Sequence, residues 1–331
     1  MMKKIRVAQI GTSRYSHGNE IFKAFVKKSE DFEIVGYAMP EDEKNKFPNN
    51  MQIFAPYREM TVDEILMDES IDAVIVETEE IYLTKYALAA ARAGKHIHME
   101  KPGGVSLENF ELLISEMKRS GKVFHTGYMY RYNPVISDLI KRVKAGEIGD
   151  VISVEAHMSG WRGFDQTDWL KTFPGGMMFY LGCHLVDLVL TIQGKPLKIY
   201  PFNRSTGVHD TDAKDFSMAV FEYERGVSFV KTTQAEKGGF SRRQLVITGT
   251  KGRFEVRPLE KSIKYPLQYT EYDEFKSNDW NDEGTHFRSA DHDRYDDMIS
   301  SFAKMVRGEK ENPYTLDYEL ELFKTLTECC K

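Results

Sequence analysis

Apolar residues alternate between two spacings along the first third of the chain. Ile5 to Ile10 is a compact apolar run stopped by Gly11, the pattern of a buried strand. Asn19 to Lys28 follows with Ile21, Phe22, Phe25 and Val26 at helical spacing. Phe32 to Ala38, closed by Pro40, and Ile71 to Val76 predict two further strands, and alanine-rich Tyr82 to Ala93 predicts a helix. His96 to Glu100, stopped by Pro102, is another short strand. Ser106 is placed to cap a helix reaching Ser120, and Lys122 to Gly127 reads as one more strand. Strand–helix alternation at this pitch predicts a doubly wound parallel sheet with helices on both faces.

Beyond about residue 125 the pattern changes. A helix from Pro134 to Ala145 precedes Val151–Ser159, a run rich in β-branched residues, and Gly175–Ile192 is the most apolar helical stretch in the chain. Strands then follow one another at Leu197–Asn203, Phe216–Glu224, Val227–Thr233, Gln244–Thr248 and Arg253–Val256. Short turns such as Glu224-Arg225-Gly226 and Thr250-Lys251-Gly252 join them, which predicts a largely antiparallel sheet. The polar stretch Asp273–Arg288 reads as a surface loop, and helical patterns near Arg294–Met305 and Leu316–Cys330 close the chain. The expected fold class is α/β. A Rossmann-type domain over residues 1–124 is followed by an α+β domain with an open, largely antiparallel sheet over 125–331.

Composition narrows the function classes. The 331 residues carry 45 Lys+Arg against 51 Asp+Glu, a net charge of −6, so a chain-wide basic footprint for nucleic acid is not expected. No apolar run approaches a membrane span, and the charged start before Gly11 lacks the long apolar core of a secretory signal. Three cysteines, Cys183, Cys329 and Cys330, lack metal-ligand spacing, which points to a reduced, cytoplasmic setting and no metal.

A dinucleotide site needs a strand, a tight turn and a helix N-terminus whose free N–H groups meet the pyrophosphate. Gly11-Thr12-Ser13-Arg14-Tyr15-Ser16 stands where that turn belongs, but only the first glycine of G-x-G-x-x-G is present, with Ser13 and Ser16 in place of the others. The same loop also reads as an ordinary β–α turn. Ser13 is small enough for backbone approach, and its hydroxyl is a possible donor to phosphate. The acid expected at the end of the second strand for the adenosine ribose is replaced by Met39, with Glu41 and Asp42 just beyond Pro40. Arg14 as a phosphate partner favours NADP, and His17 is a further candidate donor. NAD and NADP both stay open.

Lys101, in Glu100-Lys101-Pro102, directly follows a strand at the sheet edge where open α/β folds bind ligands. A buried lysine beside a cofactor can relay a proton from a substrate hydroxyl, because desolvation lowers its pKa. Tyr180, His184 and Asp187 lie at i, i+4 and i+7 of the apolar helix and are expected to share one face. Taken with Lys101, His184 becomes a credible acid/base group.

These motifs resemble the glucose–fructose oxidoreductase / inositol dehydrogenase / MocA family over nearly the whole chain. The markers are Glu100-Lys101-Pro102, then Gly127-Tyr128-Met129-Tyr130-Arg131-Tyr132-Asn133-Pro134. Others are Gly175, Gly176, Gly182, His184 and Asp187 of the apolar helix, and the turn Gly249-Thr250-Lys251-Gly252. The resemblance implies NAD or NADP bound by Gly11, Thr12, Ser13, Arg14, Tyr15, Met39, Thr78, Glu79, Glu100 and Lys101. It implies hydride transfer at a CH–OH group of a sugar, cyclitol or related polyhydroxylated substrate. Lys101, His184 and Tyr180 would handle the proton, and Tyr128, Arg131, Trp161, Arg162 and Asp187 would complete the substrate wall. It further implies a homodimer or homotetramer formed through the C-terminal sheet. Two departures fall near the implied chemistry. Thr78-Glu79-Glu80-Ile81-Tyr82-Leu83 replaces the family's Thr-Pro-Asn-x-x-His, and Tyr180 stands where the family carries an aspartate. A second reading therefore stands beside the enzyme, a non-catalytic or regulatory relative that binds dinucleotide or sugar without turnover.

Overall fold

The computed structural model describes residues 3–331. The chain forms two compact units, one of Met1–Tyr128 with Tyr295–Phe323 and the other of Met129–Arg294 with Lys324–Lys331. The expected single crossing at 124/125 falls inside a strand, and the chain returns to the first unit after residue 294. A helix there supplies Phe302 to the Phe25–Phe32 ring cluster and completes that unit's core.

In the first unit, strands β1 (Ile5–Ile10), β2 (Phe32–Ala38), β3 (Ala73–Val76), β4 (His96–Met99) and β5 (Phe124–Thr126) form one sheet in the order β2-β1-β3-β4-β5. All four pairings are parallel. Val7, Ala8, Ile10 and the whole of β3 are fully buried, because helices cover both faces and leave no strand face for water. The helices are α1 (Gly18–Lys27), the short α2 (Glu43–Lys46), α3 (Val62–Met67), α4 (Leu83–Arg92) and α5 (Leu107–Ser120). Ser106 caps α5 as expected, its Oγ accepting the Asn109 N–H at 3.3 Å, and Gly121 ends the helix at φ +64°. The order reverses between β1 and β3, so a crevice opens at the carboxyl ends of these strands, the ligand position in such sheets.

The second unit begins with α6 (Pro134–Lys144), β6 (Val151–Ser159) and α7 (Phe164–Trp169). The apolar helix expected from Gly175 starts instead with a π-helical turn, Met178–Gly182, which leads into α8 (Cys183–Gln193). Strands β7 (Lys198–Arg204), β8 (Phe216–Glu222), β9 (Val227–Thr233), β10 (Gln244–Gly249) and β11 (Gly252–Val256) follow. After them come β12 (Lys261–Lys264), β13 (Leu267–Tyr269), β14 (Glu271–Phe275), β15 (Thr285–Arg288) and β16 (His292–Asp293). The main sheet has eight strands in the order β15-β14-β11-β10-β6-β9-β8-β7. Only β6 and β9 pair in parallel. The remaining three strands form a small separate sheet.

Ser217, Ala219 and Phe221 of β8 are buried, while the alternate residues Met218 and Val220 line up with Phe202 and Tyr200 of β7 on a face that is partly exposed. The stretch 273–288, read from its polarity as a loop, holds the edge hairpin β14–β15. Its cross-strand Tyr272 and Phe287 stack at 5.0 Å, and an edge strand with polar neighbours gives only a weak alternation signal. In the first unit lie α9 (Asp296–Val306) and the start of α10 (Leu316–Cys329), whose Phe323 stacks on Phe110 at 4.4 Å. Among the described residues no helix is long and apolar enough to cross a membrane, and no group of His, Cys, Asp or Glu is arranged to hold a metal.

Candidate functional site

Gly11 leaves β1 with φ +86°, a left-handed value that a side chain rarely adopts. A Cβ there would fall 2.4 Å from Thr78 Cγ2 and 2.7 Å from Thr78 Cα, so glycine lets the β1 loop close onto the loop after β3. Thr12 and Ser13 are buried in this contact, while Arg14 is exposed, its guanidinium 5.7 Å from the Phe47 ring centroid. Tyr15 is half-buried. His17, a candidate cofactor donor, shares a hydrogen bond with the Tyr295 hydroxyl at 3.0 Å.

Buried carboxyl groups gather near the carboxyl ends of β1 and β3. Glu43, the first residue of α2, is fully buried. Its Oε2 accepts the Thr12 N–H at 2.9 Å, and its Oε1 accepts the Glu79 N–H at 3.0 Å. Burial pushes the Glu43 carboxyl up to about 8, against the two N–H bonds that favour its charged form. Ser13, expected to offer its hydroxyl to a phosphate, donates instead to Glu80 Oε2 at 3.0 Å. Glu80 is likewise buried and pushed up to about 7, with the charge of Lys101 opposing the shift. Glu77 is raised well above the ordinary carboxyl range, first by burial and then by Glu100 and Glu80, again with Lys101 acting the other way. Neither oxygen of Glu77, nor Oε1 of Glu80, has a hydrogen-bond partner among the described residues.

Lys101 is buried at the end of β4, its Nζ 3.6 Å from Glu100 Oε1. The turn that carries it needs its following glycines. Gly103 and Gly104 have φ of +110° and +93°, and a Cβ on Gly104 would lie 1.9 Å from Thr84 Oγ1. Thr84 donates that hydroxyl to the Gly103 carbonyl, which fastens the turn to α4. Tyr128, at the end of this unit, is also buried.

Met39 packs against the cluster of Phe22, Tyr37 and Phe54, where it has no acceptor to offer. Glu41 is tied to α4, its Oε1 accepting from the Tyr86 hydroxyl at 2.7 Å and from Lys85. Beneath the sheet, His98 and His125 meet Nδ1 to Nδ1 at 2.7 Å, and His98 Nε2 lies 3.9 Å from Glu77 Oε1. Burial pushes His98 down to about 3, so it is a neutral imidazole, and of the two Nδ1 atoms one carries the hydrogen and donates it to the other, which is bare. Sequence reading missed Glu43, Glu77 and this pair, since nothing local distinguishes them from ordinary strand-end or surface residues.

In the second unit the Tyr180–His184–Asp187 face is reorganised. The π turn intervenes, so the α-helical spacing expected of Tyr180 and His184 does not hold between them. Tyr180 packs edge-on to Trp169 at 5.0 Å, and His184 meets the Tyr130 ring edge-on at 5.4 Å. Asp187 is paired with Arg131, two residues expected on the substrate wall. The guanidinium donates from Nε at 2.9 Å to Oδ2 and from Nη2 at 2.7 Å to Oδ1. The Tyr130 hydroxyl donates to Glu260 at 2.8 Å, and Glu260 also receives Arg243 and Arg294, each at 2.9 Å. Trp161 is 40% exposed, with Lys237 Nζ 4.9 Å from its ring and the His209 ring at 4.8 Å. Arg162 is exposed and donates to the Trp161 carbonyl at 3.3 Å.

Residues 5–128 match a family model described as an oxidoreductase family with an NAD-binding Rossmann fold. Residues 136–255 match the GFO/IDH/MocA C-terminal domain. A scyllo-inositol 2-dehydrogenase (NAD(+)) of Bacillus subtilis is 31% identical over 131 residues, covering 40% of this chain and 38% of the relative. A D-xylose 1-dehydrogenase (NADP(+)) of Haloferax volcanii is 27% identical over 169 residues, covering 50% of this chain and 51% of the relative. The matched stretch thus spans about half of such relatives or less. The WlbA dehydrogenase of Bordetella pertussis, solved with NADH and UDP-GlcNAcA, superposes with a TM-score of 0.78 at 17% identity, over 98% of this chain and 95% of that one. KijD10, a 3-ketoreductase of Actinomadura kijaniata solved with TDP-benzene and NADP, gives 0.77 at 17% identity, over 98% and 96%. At these identities the likeness establishes the fold.

Proposed function

Since the chain belongs to the GFO/IDH/MocA oxidoreductase family, we propose that it is an NAD(P)-dependent oxidoreductase acting on a CH–OH group of a sugar, cyclitol or related polyhydroxylated substrate. The observation that carries this reading is the buried Lys101 at the carboxyl edge of the sheet, its charge acting on Glu77 and Glu80 beside the Gly11 loop. A relative named as an inositol dehydrogenase and another named as a xylose dehydrogenase support the substrate class.

The residues fit a dinucleotide on two counts. Gly11 makes the tight turn at the strand end and brings the loops after β1 and β3 together there. Both oxygens of Glu77 and Oε1 of Glu80 are buried without a partner among the described residues and are available to polar groups such as ribose hydroxyls or a carboxamide. The Gly11–Ser13 loop, Thr78, Glu80 and Lys101 would hold the cofactor, with Arg14 an exposed cation near its phosphates. When bound, the nicotinamide supplies the acceptor or donor of hydride. Lys101 takes the proton of the reacting hydroxyl or returns it, and Glu100 holds the ammonium in place. His184 orients the hydroxyl, while Tyr180, Trp161 and Arg162 are further substrate contacts. The half-exposed face carrying Tyr200, Phe202, Met218 and Val220 is the proposed oligomer surface.

Calorimetric titration with NAD(H) and NADP(H), followed by a sugar and polyol screen at the absorbance of the reduced cofactor, tests the reading. Turnover with at least one polyhydroxylated substrate is expected. Binding without turnover across a broad panel would instead establish the non-catalytic relative.

A further inference from the structure

Glu43 sits where a Rossmann loop normally keeps its amides for a phosphate. Two backbone N–H groups, from Thr12 in the loop after β1 and from Glu79 in the loop after β3, are satisfied by the two oxygens of this one side chain. The arrangement is held from several sides. Glu41 and Asp42, just before α2, take left-handed backbone values of φ 57° and 59° that non-glycine residues seldom adopt. Glu41 is anchored to Tyr86 and Lys85 of α4. Asn50 adds a second brace to the loop, donating to Thr12 Oγ1 at 3.0 Å and to the Ser13 carbonyl at 3.1 Å. A further donor on the loop after β1, the Ser13 hydroxyl, is taken by Glu80. An anion arriving at the Thr12 amide finds that donor, like the Ser13 hydroxyl beside it, already engaged by the chain's own carboxyl groups.

We propose that Glu43 is a resident occupant of the diphosphate seat, so that a dinucleotide binds this chain only by displacing the Glu43 carboxyl from the Thr12 and Glu79 amides. The inference rests on the dinucleotide reading above and adds to it a selecting residue. Cofactor affinity is set by a competition between a phosphate and a side chain for the same two N–H groups, and the apparent affinity falls by the fraction of chains in which the carboxyl has left. Because burial keeps this carboxyl largely protonated near neutral pH, the competition is steric and hydrogen-bonded rather than a matter of like charge. The groups facing it are the two amides and the charged side chains of Glu79 and Lys46.

Two variants and one measurement on the unaltered chain test the proposal. Glu43→Ala empties the seat, and Glu43→Gln keeps a side chain of the same shape that still accepts a hydrogen bond. At pH 7, calorimetry with NADH and with NADPH should show Glu43→Ala binding about tenfold tighter than the unaltered chain, the worth of one or two hydrogen bonds. Glu43→Gln should stay within about threefold of the unaltered chain. Equal gains in both variants would assign the effect to charge and overturn the proposal. Equal, measurable affinity in all three proteins would also overturn it while leaving the dinucleotide reading intact. No binding by any of them up to millimolar cofactor would overturn both. Hydrogen exchange on the unaltered chain gives a separate readout. Saturating cofactor should protect the segment 11–19 and deprotect 41–47, whereas protection of both segments would mean that Glu43 stays in place.

Discussion

Arg131 grips Asp187 through Nε and Nη2, at 2.9 and 2.7 Å, in an ion pair whose two side chains are each 2% exposed. Both residues look from the sequence like parts of a substrate wall. Their mutual pairing, a planar fork on a carboxylate, gives them a structural task in the second unit. Asp187→Ala should therefore lower stability by about 3–5 kcal/mol, because it leaves a buried guanidinium without its partner. Urea unfolding checks this. A variant as stable as the parent, with only the Michaelis constant changed, would return Asp187 to the substrate wall.

Lys101→Ala should lower turnover by about 10²–10⁴, the usual reach of a general acid–base group. Steady-state kinetics with saturating cofactor gives the rate. An active enzyme indifferent to the change would remove Lys101 from the chemistry.

The raised carboxyl groups predict a pH dependence of stability. Glu43, with a native value of about 8, stays protonated in the fold long after it has ionised in the unfolded chain near its ordinary 4.5. The unfolded state then binds fewer protons, so stability falls as pH rises from about 4.5 towards 8 and levels off above. Glu80, with a native value of about 7, acts in the same direction. Glu43→Gln should make the fall between pH 5.5 and 8.5 shallower by on the order of 3 kcal/mol. Chemical unfolding of both proteins across that range measures the difference, and parallel curves would show that Glu43 titrates normally.

Gly11→Ala should destabilise the first unit by about 3 kcal/mol, combining an unfavourable positive φ with a Cβ forced onto the Thr78 backbone. Thermal unfolding tests it. A loss below about 0.5 kcal/mol, the ordinary range for a surface change, would mean that the two loops separate without cost.

Much of the architecture was legible before any coordinates. The run Ile5–Ile10, the Ser106 cap and the succession of strands from Lys198 to Val256 all write themselves in local spacing, because burial on a strand or helix face repeats with a fixed period. The edge hairpin around Tyr272 and Phe287 escaped because an edge strand among polar residues carries little of that period. The π turn at Met178–Gly182 escaped because it keeps an apolar composition while changing the number of residues per turn.

The chain's own order of residues determined that Lys101 would stand at the end of a strand and that Gly11 would begin a turn, since both follow from what precedes them by a few positions. It could not determine that Glu43 would close on the amide of Thr12, that Ser13 would give its hydroxyl to Glu80, or that Arg131 would take Asp187 as a partner. Those pairs are separated by 31, 67 and 56 residues. A polar side chain finds its partner by which groups the fold buries together, and the cost of leaving a buried donor or acceptor unmade acts across space, where no local period records it.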